Sequence, residues 1–527
     1  MLQIFITMGR MTALALLLTT TCLTPRAAWA DAKSGELVFA NYRDIRNLNP
    51  HIYSGEIFAQ NLIFESLVMN TEAGVEPWLA ERWEISDDGR QYTFFLRQGV
   101  FFSDGEKFDA KSAKLNFDAV MDNSERHTWL EMVRLMDKVE VIDDHTLRIS
   151  LKEPYYPMLT ELGVTRPFRF ISPKSMKDGS TKNGVTSYIG TGPYILAENK
   201  VDEVATFARN EKYWGKQPAV ATIRARVIPD NQGRVMALQK GEIDLIYGTN
   251  LLDAETMQHF QKSKKFETVL SAPLSTRNIV VNSTRPALGD KNVRKALQYL
   301  VNQQAISTGI FNDIESPAEF IFAPSVPYCN VPLEPYSHNI AKAATLLDDA
   351  GWKLPGGKKI REKGGKPLSL DLYYNSDSVT EKNISEYLQA EFLKAGIVLN
   401  LHGEEEQSYR DRMKAGNFDI VHNISWGTPY DPQSFIGSMV RTVYGDYVAQ
   451  QGLPEKKQID ETIRNILVST DPVKRQEMFT WLLTTLHDGA VYIPLTYQRN
   501  RAVFSKELKG VGFNPSQFEI PLEAMFF

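Results

Sequence analysis

The feature that most constrains the fold is a strand–helix–strand pattern that starts near the middle of the chain. Apolar residues alternate over residues 223–227, as they do in a strand that buries one face. A short apolar stripe at helical spacing follows and ends at Gly241, and a second alternation covers residues 243–247. Two strands joined through a helix usually lie parallel in one sheet, so this segment predicts an α/β lobe.

The second half of the chain repeats this pattern. Apolar residues recur at helical spacing behind Asp290, and two further helical stripes end at Gly351 and Gly396. Glycine is common directly after a helix because it adopts the left-handed conformation at little cost. Strand-like alternation covers residues 368–374 and 397–401. These segments predict a second α/β lobe.

Residues 83–108 are typical of β structure. Alternating apolar residues flank the turn Asp87-Asp88-Gly89, and a second turn, Asp104-Gly105, precedes Phe108. Such turns between alternating residues are the mark of hairpins. A helix capped by Asp109 follows. We therefore predict a β-rich insertion in the first lobe, and, because no low-complexity linker is present, lobes joined by crossing strands.

Length and composition bound the class of protein. A chain of 527 residues is too long for one core, and 43% hydrophobic with 23% charged residues is an ordinary globular composition. The formal net charge is -5 and no block of like charge occurs, so nucleic acid is excluded as an expected partner.

The N-terminus has the three parts of a secretory signal peptide. Arg10 precedes an apolar stretch over residues 11–23, and Ala28-Trp29-Ala30 supplies small residues for cleavage. The stretch is shorter than the roughly 20 residues that span a bilayer. We expect the mature chain to begin near Asp31, with Cys329 as its only cysteine and hence no intrachain disulfide.

Catalytic motifs are absent from the sequence. The phosphate-loop, nucleophile-elbow and HExxH patterns do not occur, and the eight histidines are scattered. His127 and Glu131 share a helical face, and Glu404 to Glu406 are consecutive, but both patterns are more typical of solvated surface. No enzymatic function is expected.

Aromatic residues in loops point instead to a binding pocket. Pockets are lined by apolar and aromatic side chains with a few placed polar groups. Two arginines, Arg126 and Arg166, lie beside aromatic residues or proline, although residue pattern alone favours two surface arginines. The aromatic residues near element ends are Tyr53, Trp129, Tyr409, Trp426 and Tyr430.

Several ordered strings resemble the peptide/nickel class of extracytoplasmic solute-binding proteins. The longest is W-x-x-S-x-D-G-x-x-Y-T-F-x-L-R-x-G-V-x-F over residues 83–102. Others cover residues 190–194, 209–214 and 241–244. Residues 49–53, 126–131, 155–157, 166–170, 426–432 and 486–488 are similar to the nickel branch of that class.

The resemblance implies a two-lobed α/β periplasmic-binding-protein fold of class II type with an extra β-rich subdomain on the first lobe. The implied limits are a signal peptide over 1–30, lobe I over 31–274, lobe II over 275–497 and a C-terminal return to lobe I over 498–527. We expect a monomeric protein of the periplasm that delivers its ligand to an inner-membrane ABC permease with its ATPase.

The resemblance also assigns a ligand and its site. Arg126 and Arg166 match the arginines that bind chelator carboxylates, and the five aromatic residues match the pocket walls. Ile57 replaces an apolar methionine, and Tyr444 stands where a related protein has a histidine that coordinates nickel. A phenol is a poor nickel ligand.

The expected ligand is therefore nickel transported as a complex with a small chelator such as L-histidine, with no resident cofactor. His51 and His422 are weak candidates for a metal bond. Another metallophore of opine or siderophore type, and di- or oligopeptides, remain alternatives.

Overall fold

The computed structural model describes residues 35–249 and 251–527, so the signal peptide predicted over 1–30 lies outside the described residues. The strands are β1 (Glu36–Asn41), β2 (Val68–Thr71), β3 (Gly74–Pro77), β4 (Ala80–Ile85), β5 (Gln91–Leu96), β6 (Met136–Asp143), β7 (Thr146–Leu151), β8 (Met176–Lys177), β9 (Ser180–Val185), β10 (Tyr194–Lys200), β11 (Val204–Arg209), β12 (Thr222–Val227), β13 (Leu245–Tyr247), β14 (Phe266–Leu270), β15 (Ser275–Val281), β16 (Ser316–Pro317), β17 (Glu362–Lys363), β18 (Lys366–Pro367), β19 (Ser369–Asn375), β20 (Val398–Glu404), β21 (Ile420–Ile424), β22 (Tyr492–Gln498) and β23 (Arg501–Ser505).

The helices are α1 (Ile57–Ile63), α2 (Ala110–Asp122), α3 (Glu131–Leu135), α4 (Met158–Leu162), α5 (Asn231–Lys240), α6 (Ala254–Gln261), α7 (Lys291–Leu300), α8 (Gln303–Phe311), α9 (Ile340–Asp349), α10 (Val379–Lys394), α11 (Glu406–Ala415), α12 (Gln433–Ser438), α13 (Gly445–Ala449), α14 (Lys456–Val468) and α15 (Pro472–Gly489). Within the two described ranges, none of these helices has both the length and the apolarity that crossing a bilayer requires.

The first sheet has the strand order β10-β11-β12-β1-β13-β23-β14. Strands β12 and β13 both pair parallel with β1, which lies between them, so the predicted strand–helix–strand unit is confirmed with one strand inserted. The connecting helix α5 begins behind Asp230, whose side chain accepts a hydrogen bond from the Gly233 N–H, and ends at Gly241 in the left-handed conformation (φ 72°).

The second sheet has the order β16-β22-β15-β21-β19-β20. Strands β20 and β21 both pair parallel with β19, and α10 connects β19 to β20 before a left-handed Gly396 (φ 82°). The second α/β lobe predicted from the sequence is therefore present, with helices α7, α9 and α10 packed around it.

The subdomain is a four-stranded antiparallel sheet, β4-β5-β7-β6. The predicted β4–β5 hairpin and the Asp109 cap of α2 are confirmed. The hairpin predicted over residues 100–108 is present in a short form, with one antiparallel bridge between Phe101 and Lys107. The Phe102 N–H donates to the Glu106 carbonyl (2.8 Å) and the Phe108 N–H donates to the Val100 carbonyl (3.0 Å), so the pairing covers only the residues beside the turn.

The chain crosses between the two sheets twice. It passes from β14 in the first sheet to β15 in the second, and it returns from β22 to β23. We call these two adjacent connections the hinge. The architecture is the expected two-lobed α/β fold with a β-rich subdomain in the first half of the chain.

The subdomain side of the first lobe contacts the second lobe directly. The Tyr156 N–H donates to the Leu467 carbonyl (2.7 Å), and the Arg475 guanidinium lies 3.5 Å from the centre of the Tyr156 ring. Side chains of both lobes form one buried apolar cluster at this boundary. The lobes are therefore joined by the hinge and also pack directly against each other.

Candidate ligand-binding site

A cavity of about 400 Å³ lies between the lobes, and we call it the cleft. Such a volume is in the range typical of small-molecule pockets. Its lining includes seven residues singled out from the sequence, namely Tyr53, Ile57, Trp129, Arg166, Trp426, Tyr430 and Tyr444. The remaining lining residues are Thr165, Ile424, Ser425, Ser516, Gln517 and Phe518.

The cleft lies beyond the carboxyl ends of strands with parallel neighbours in both lobes. The loop after β1 carries Tyr53 and leads into α1, and the loop after β21 carries Trp426 and Tyr430. Ligands of open α/β sheets bind outside the carboxyl ends of strands, where connecting loops diverge. The fold therefore places loops from both lobes around one space.

Aromatic rings from the two lobes meet edge to face across the cleft. Trp129 of the first lobe lies 6.1 Å from Trp426 and 5.9 Å from Tyr430 of the second lobe, measured between ring centres. Trp426 also lies 6.2 Å from Tyr444. Edge-to-face pairs at these distances are favourable. Ring faces thus form much of the cleft wall.

A hydrogen-bonded chain fixes the rings of the first lobe. The Trp129 indole N–H donates to the Tyr53 hydroxyl (2.9 Å), which in turn lies 2.6 Å from Nδ1 of His127. Burial lowers the pKa of His127 to about 4, so its ring is uncharged near neutral pH when it shares this hydrogen bond with the Tyr53 hydroxyl. The Tyr53 hydroxyl is therefore already committed, and its ring is what it offers to a ligand.

Arg166 is the cation of the cleft lining. Its Nη1 donates to the Gly55 carbonyl (3.1 Å), and its guanidinium lies 5.2 Å from the centre of the Tyr53 ring. It forms no ion pair with any described residue, and burial lowers its pKa. A half-buried guanidinium with open donors is suited to gripping a carboxylate.

A buried carboxyl group holds the loop of the second-lobe wall. Asp431 accepts hydrogen bonds from the Ser425 hydroxyl (2.5 Å) and from the backbone N–H groups of Trp426 (3.1 Å) and Gly427 (2.9 Å). Burial raises the pKa of Asp431 to about 7. These bonds tie the segment that carries Trp426 and Tyr430 to its own strand end.

Polar contacts bridge the lobes beside the cleft. The Ser434 hydroxyl of the second lobe donates to Glu161 of the first (3.0 Å), which also accepts from the Tyr155 hydroxyl (2.7 Å). Arg441 of the second lobe forms an ion pair with Glu131 of the first. Burial raises the pKa of Glu161 to about 7. The structure is thus one in which the lobes are in contact.

Two residues expected in the site are placed elsewhere. Arg126 is exposed on the short turn Ser124–His127, which buries His127 instead, and it does not line the cleft. Tyr409 belongs to the core, where its hydroxyl donates to the His422 carbonyl (2.7 Å) because α11 packs on the second sheet.

The two histidines named as weak metal candidates do not reach the cleft. His51 is fully buried, with Nδ1 2.9 Å from the Thr181 hydroxyl and Nε2 2.9 Å from the Arg169 carbonyl. His422 is buried, with Nε2 2.8 Å from the Ser385 hydroxyl. In this structure packing and hydrogen bonds already engage both rings.

Some lining residues carry little sequence signal. Thr165 and Ser425 adjoin Arg166 and Trp426, so their proximity could have been inferred. Ser516 to Phe518 lie in the C-terminal segment expected to return to the first lobe, and Phe518 is 49% exposed. The exposure of this large apolar side chain beside a pocket is a sign of ligand contact, but it is visible only in the structure.

Comparison with known proteins agrees with this geometry. Residues 74–446 match the family described as bacterial extracellular solute-binding proteins, family 5 Middle. The nickel-binding periplasmic protein of Escherichia coli is 42% identical over 90% of this chain and 91% of its own length.

Solved structures show the same relationship. NikA from Brucella suis in complex with Fe(III)-EDTA superposes with a TM-score of 0.90 at 44% identity, covering 93% of this chain and 99% of that one. An ABC transporter substrate-binding protein from Sinorhizobium meliloti gives 0.79 at 30% identity over 93% and 99%. This chain belongs to the bacterial extracellular solute-binding proteins of family 5.

Proposed function

We propose that this protein captures a nickel–chelator complex, such as nickel with L-histidine, in the cleft and delivers it to an ABC permease with its ATPase. The observation that carries the proposal is Arg166, a half-buried cation with no ion-pair partner among the described residues, set in a wall of aromatic rings. The described lining includes no carboxylate. A charged ligand suited to this lining is anionic.

The chemistry of the cleft favours the complex over the hydrated metal ion. A bare divalent cation needs several donors from the protein. Within residues 35–249 and 251–527, no three His, Cys, Asp or Glu side chains lie together as a metal group would require. Arg166 repels a naked Ni²⁺ and attracts the carboxylates of its chelator. The chelator's own atoms then hold the nickel.

The relatives support the same class of ligand. The Escherichia coli relative is a nickel-binding protein, and the Brucella suis structure holds Fe(III)-EDTA, a metal enclosed by a polycarboxylate. A different metallophore would satisfy the same arginine and rings. A peptide fits less well, because its free amine needs a carboxylate that the described lining does not supply.

Calorimetry on metal-free protein tests the proposal. Nickel salt in a non-chelating buffer should give no submicromolar binding, and adding L-histidine should produce a saturable signal. Tripeptides and a siderophore-type nickel chelate form the comparison arms. Submicromolar binding of nickel salt alone, abolished by replacing a histidine, would overturn the chelate proposal.

The cellular location, oligomeric state and domain limits of the protein are also part of the proposal. The sequence over 1–30 supports secretion to the periplasm with cleavage near Asp31. We propose a monomer without resident cofactor or enzymatic activity. In this proposal lobe I covers residues 31–274 and lobe II covers residues 275–497, and residues 498–527 return to lobe I. Native mass spectrometry of the protein from its own periplasm would report the mature mass, the oligomeric state and the bound chelate together.

A further inference from the structure

A second cavity, of about 300 Å³, lies beside the hinge, and we call it the hinge cavity. Its lining shares no residue with that of the cleft. Polar groups from both sheets line it: Thr249 and Arg501 come from the first-sheet side, and Arg277, Thr380 and Asn383 come from the second-sheet side.

Arg501 lines this cavity and has two hydrogen-bond donors without a partner among the described residues. The residue is only 6% exposed, and its Nη2 donates to the Thr249 carbonyl (3.0 Å). Its Nε and Nη1 are buried and have no partner among the described residues. A buried charged donor without a partner is costly, so such groups usually mark a site that something else completes.

The two other arginines of the hinge cavity are satisfied by the protein. Arg234 donates to the carbonyls of Ile228 (2.9 Å), Pro229 (2.8 Å) and Leu251 (3.2 Å). Arg277 forms a two-pronged ion pair with Glu315, at 2.9 and 3.2 Å. Arg501 therefore differs from both, and the open donors are specific to it.

Among the described residues that line the hinge cavity, cations outnumber carboxylates. Three arginines line it against one carboxylate, Asp253, and Glu315 lies behind Arg277. The Asp253 carboxylate is already engaged by the Asn231 amide (2.5 Å) and the Thr256 N–H (2.6 Å). Asp230 lies near Arg234 and Glu381 lies near Arg277, so the distinctive feature of this cavity is not an excess of positive charge. It is the pair of Arg501 donors that have no partner among the described residues.

We propose that the hinge cavity binds a small oxyanion, held by the guanidinium group of Arg501, whose side chain turns its unpartnered Nε and Nη1 toward the ion on binding. Sulfate, phosphate and a short carboxylate share the required chemistry, a compact negative group whose oxygens accept several N–H donors. Because the lining comes from both sheets, a bound oxyanion lies between the two lobes at the point where they are joined.

Calorimetric titration of the metal-free full chain with sodium sulfate, sodium phosphate and sodium acetate, at constant ionic strength in chloride, tests the proposal. We expect saturable binding at one site for at least one of these anions. Arg501→Met should weaken it by tenfold or more. Arg166→Met, which removes the cation of the cleft, is the matched control and should leave this binding within twofold of the parent.

A second variant guards against loss of folding. Asn383 is exposed, so Asn383→Asp should fold normally while placing a carboxylate beside the arginines, and it should weaken binding by at least fivefold. No saturable binding to the folded parent would overturn the proposal. Binding that is abolished by Arg166→Met and kept by Arg501→Met would assign the anion to the cleft and would also overturn it.

Discussion

The cleft and the hinge cavity each contain an arginine with no ion-pair partner among the described residues, but their surroundings differ. Arg166 lies among aromatic rings in a cavity of about 400 Å³, whereas Arg501 lies among hydroxyl, amide and guanidinium groups in about 300 Å³. Aromatic walls suit a ligand with flat faces and a carboxylate edge. A polar wall suits a compact ion. An arginine side chain therefore suits different ligands in the two cavities, because the residues around it differ.

The largest expected effect separates the cleft arginine from its exposed counterpart. Arg166→Met should weaken binding of the nickel–histidine complex by about 2–5 kcal/mol, because it leaves a chelator carboxylate without its partner in the cleft. Arg126→Met is the matched control and should change affinity by less than threefold, since Arg126 is exposed and outside the lining. Equal losses for the two variants would place Arg126 in the ligand-bound site after all.

The pH dependence of stability tests the polar contact between the lobes beside the cleft. Burial raises the pKa of Glu161 from 4.5 to about 7, so its contribution to stability is complete below pH 4.5 and lost as pH rises through 7. Glu161→Gln should remove this loss, which is on the order of 3 kcal/mol. Denaturant unfolding at pH 5 and pH 8 measures the difference.

Ser434→Ala is the companion variant for Glu161. It removes the donor from the second lobe and leaves the carboxyl in place. Its pH dependence should therefore remain close to that of the parent. A parent and a Glu161→Gln variant with identical pH dependence would show that this carboxyl does not titrate in the window.

A smaller effect concerns the hydrogen-bonded chain behind the aromatic wall. Tyr53→Phe leaves the Trp129 indole N–H and His127 Nδ1 without their partner, and this should lower the free energy of unfolding by about 1–3 kcal/mol. Chelate affinity should fall less than it does in Arg166→Met. Unchanged stability in urea would mean that water replaces the hydroxyl and that the chain does not position the ring.

The smallest expected effect tests whether ligand binding in the cleft and anion binding in the hinge cavity are thermodynamically coupled. An oxyanion between the lobes should favour their contact, so saturating sulfate should raise chelate affinity about threefold to fivefold in the parent and not in Arg501→Met. Reciprocity requires the chelate to raise sulfate affinity by the same factor. Factors of one in both directions would make the cavities independent, even if both bind their ligands.

Features that depend on contacts between residues close together in the chain could be predicted from the sequence, and features that depend on tertiary packing could not. The β4–β5 hairpin and the cap of α2 depend on contacts a few residues apart, and both are confirmed. How far the pairing of residues 100–108 extends is a matter of tertiary packing, in which the rings of Phe102 and Phe108 contact each other in the core.

The candidate site shows the same limit. Arg126 and Arg166 are equivalent in local pattern, and only the tertiary structure leaves one exposed and sets the other in the cleft. The placement of Arg501 involves a hydrogen bond from its Nη2 to Thr249, 252 residues away in the chain, and alternation and turn motifs carry no signal for such a contact.

The anchoring of the second-lobe loop by Asp431 has a consequence for the kinetics of exchange. Because three hydrogen bonds hold the segment of Trp426 and Tyr430 without a ligand, that wall need not become ordered during binding. Entry is then limited by separation of the lobes, which is common to all ligands. Association rates should accordingly be similar for chelates of different shape, and discrimination among them should reside in how long each one stays.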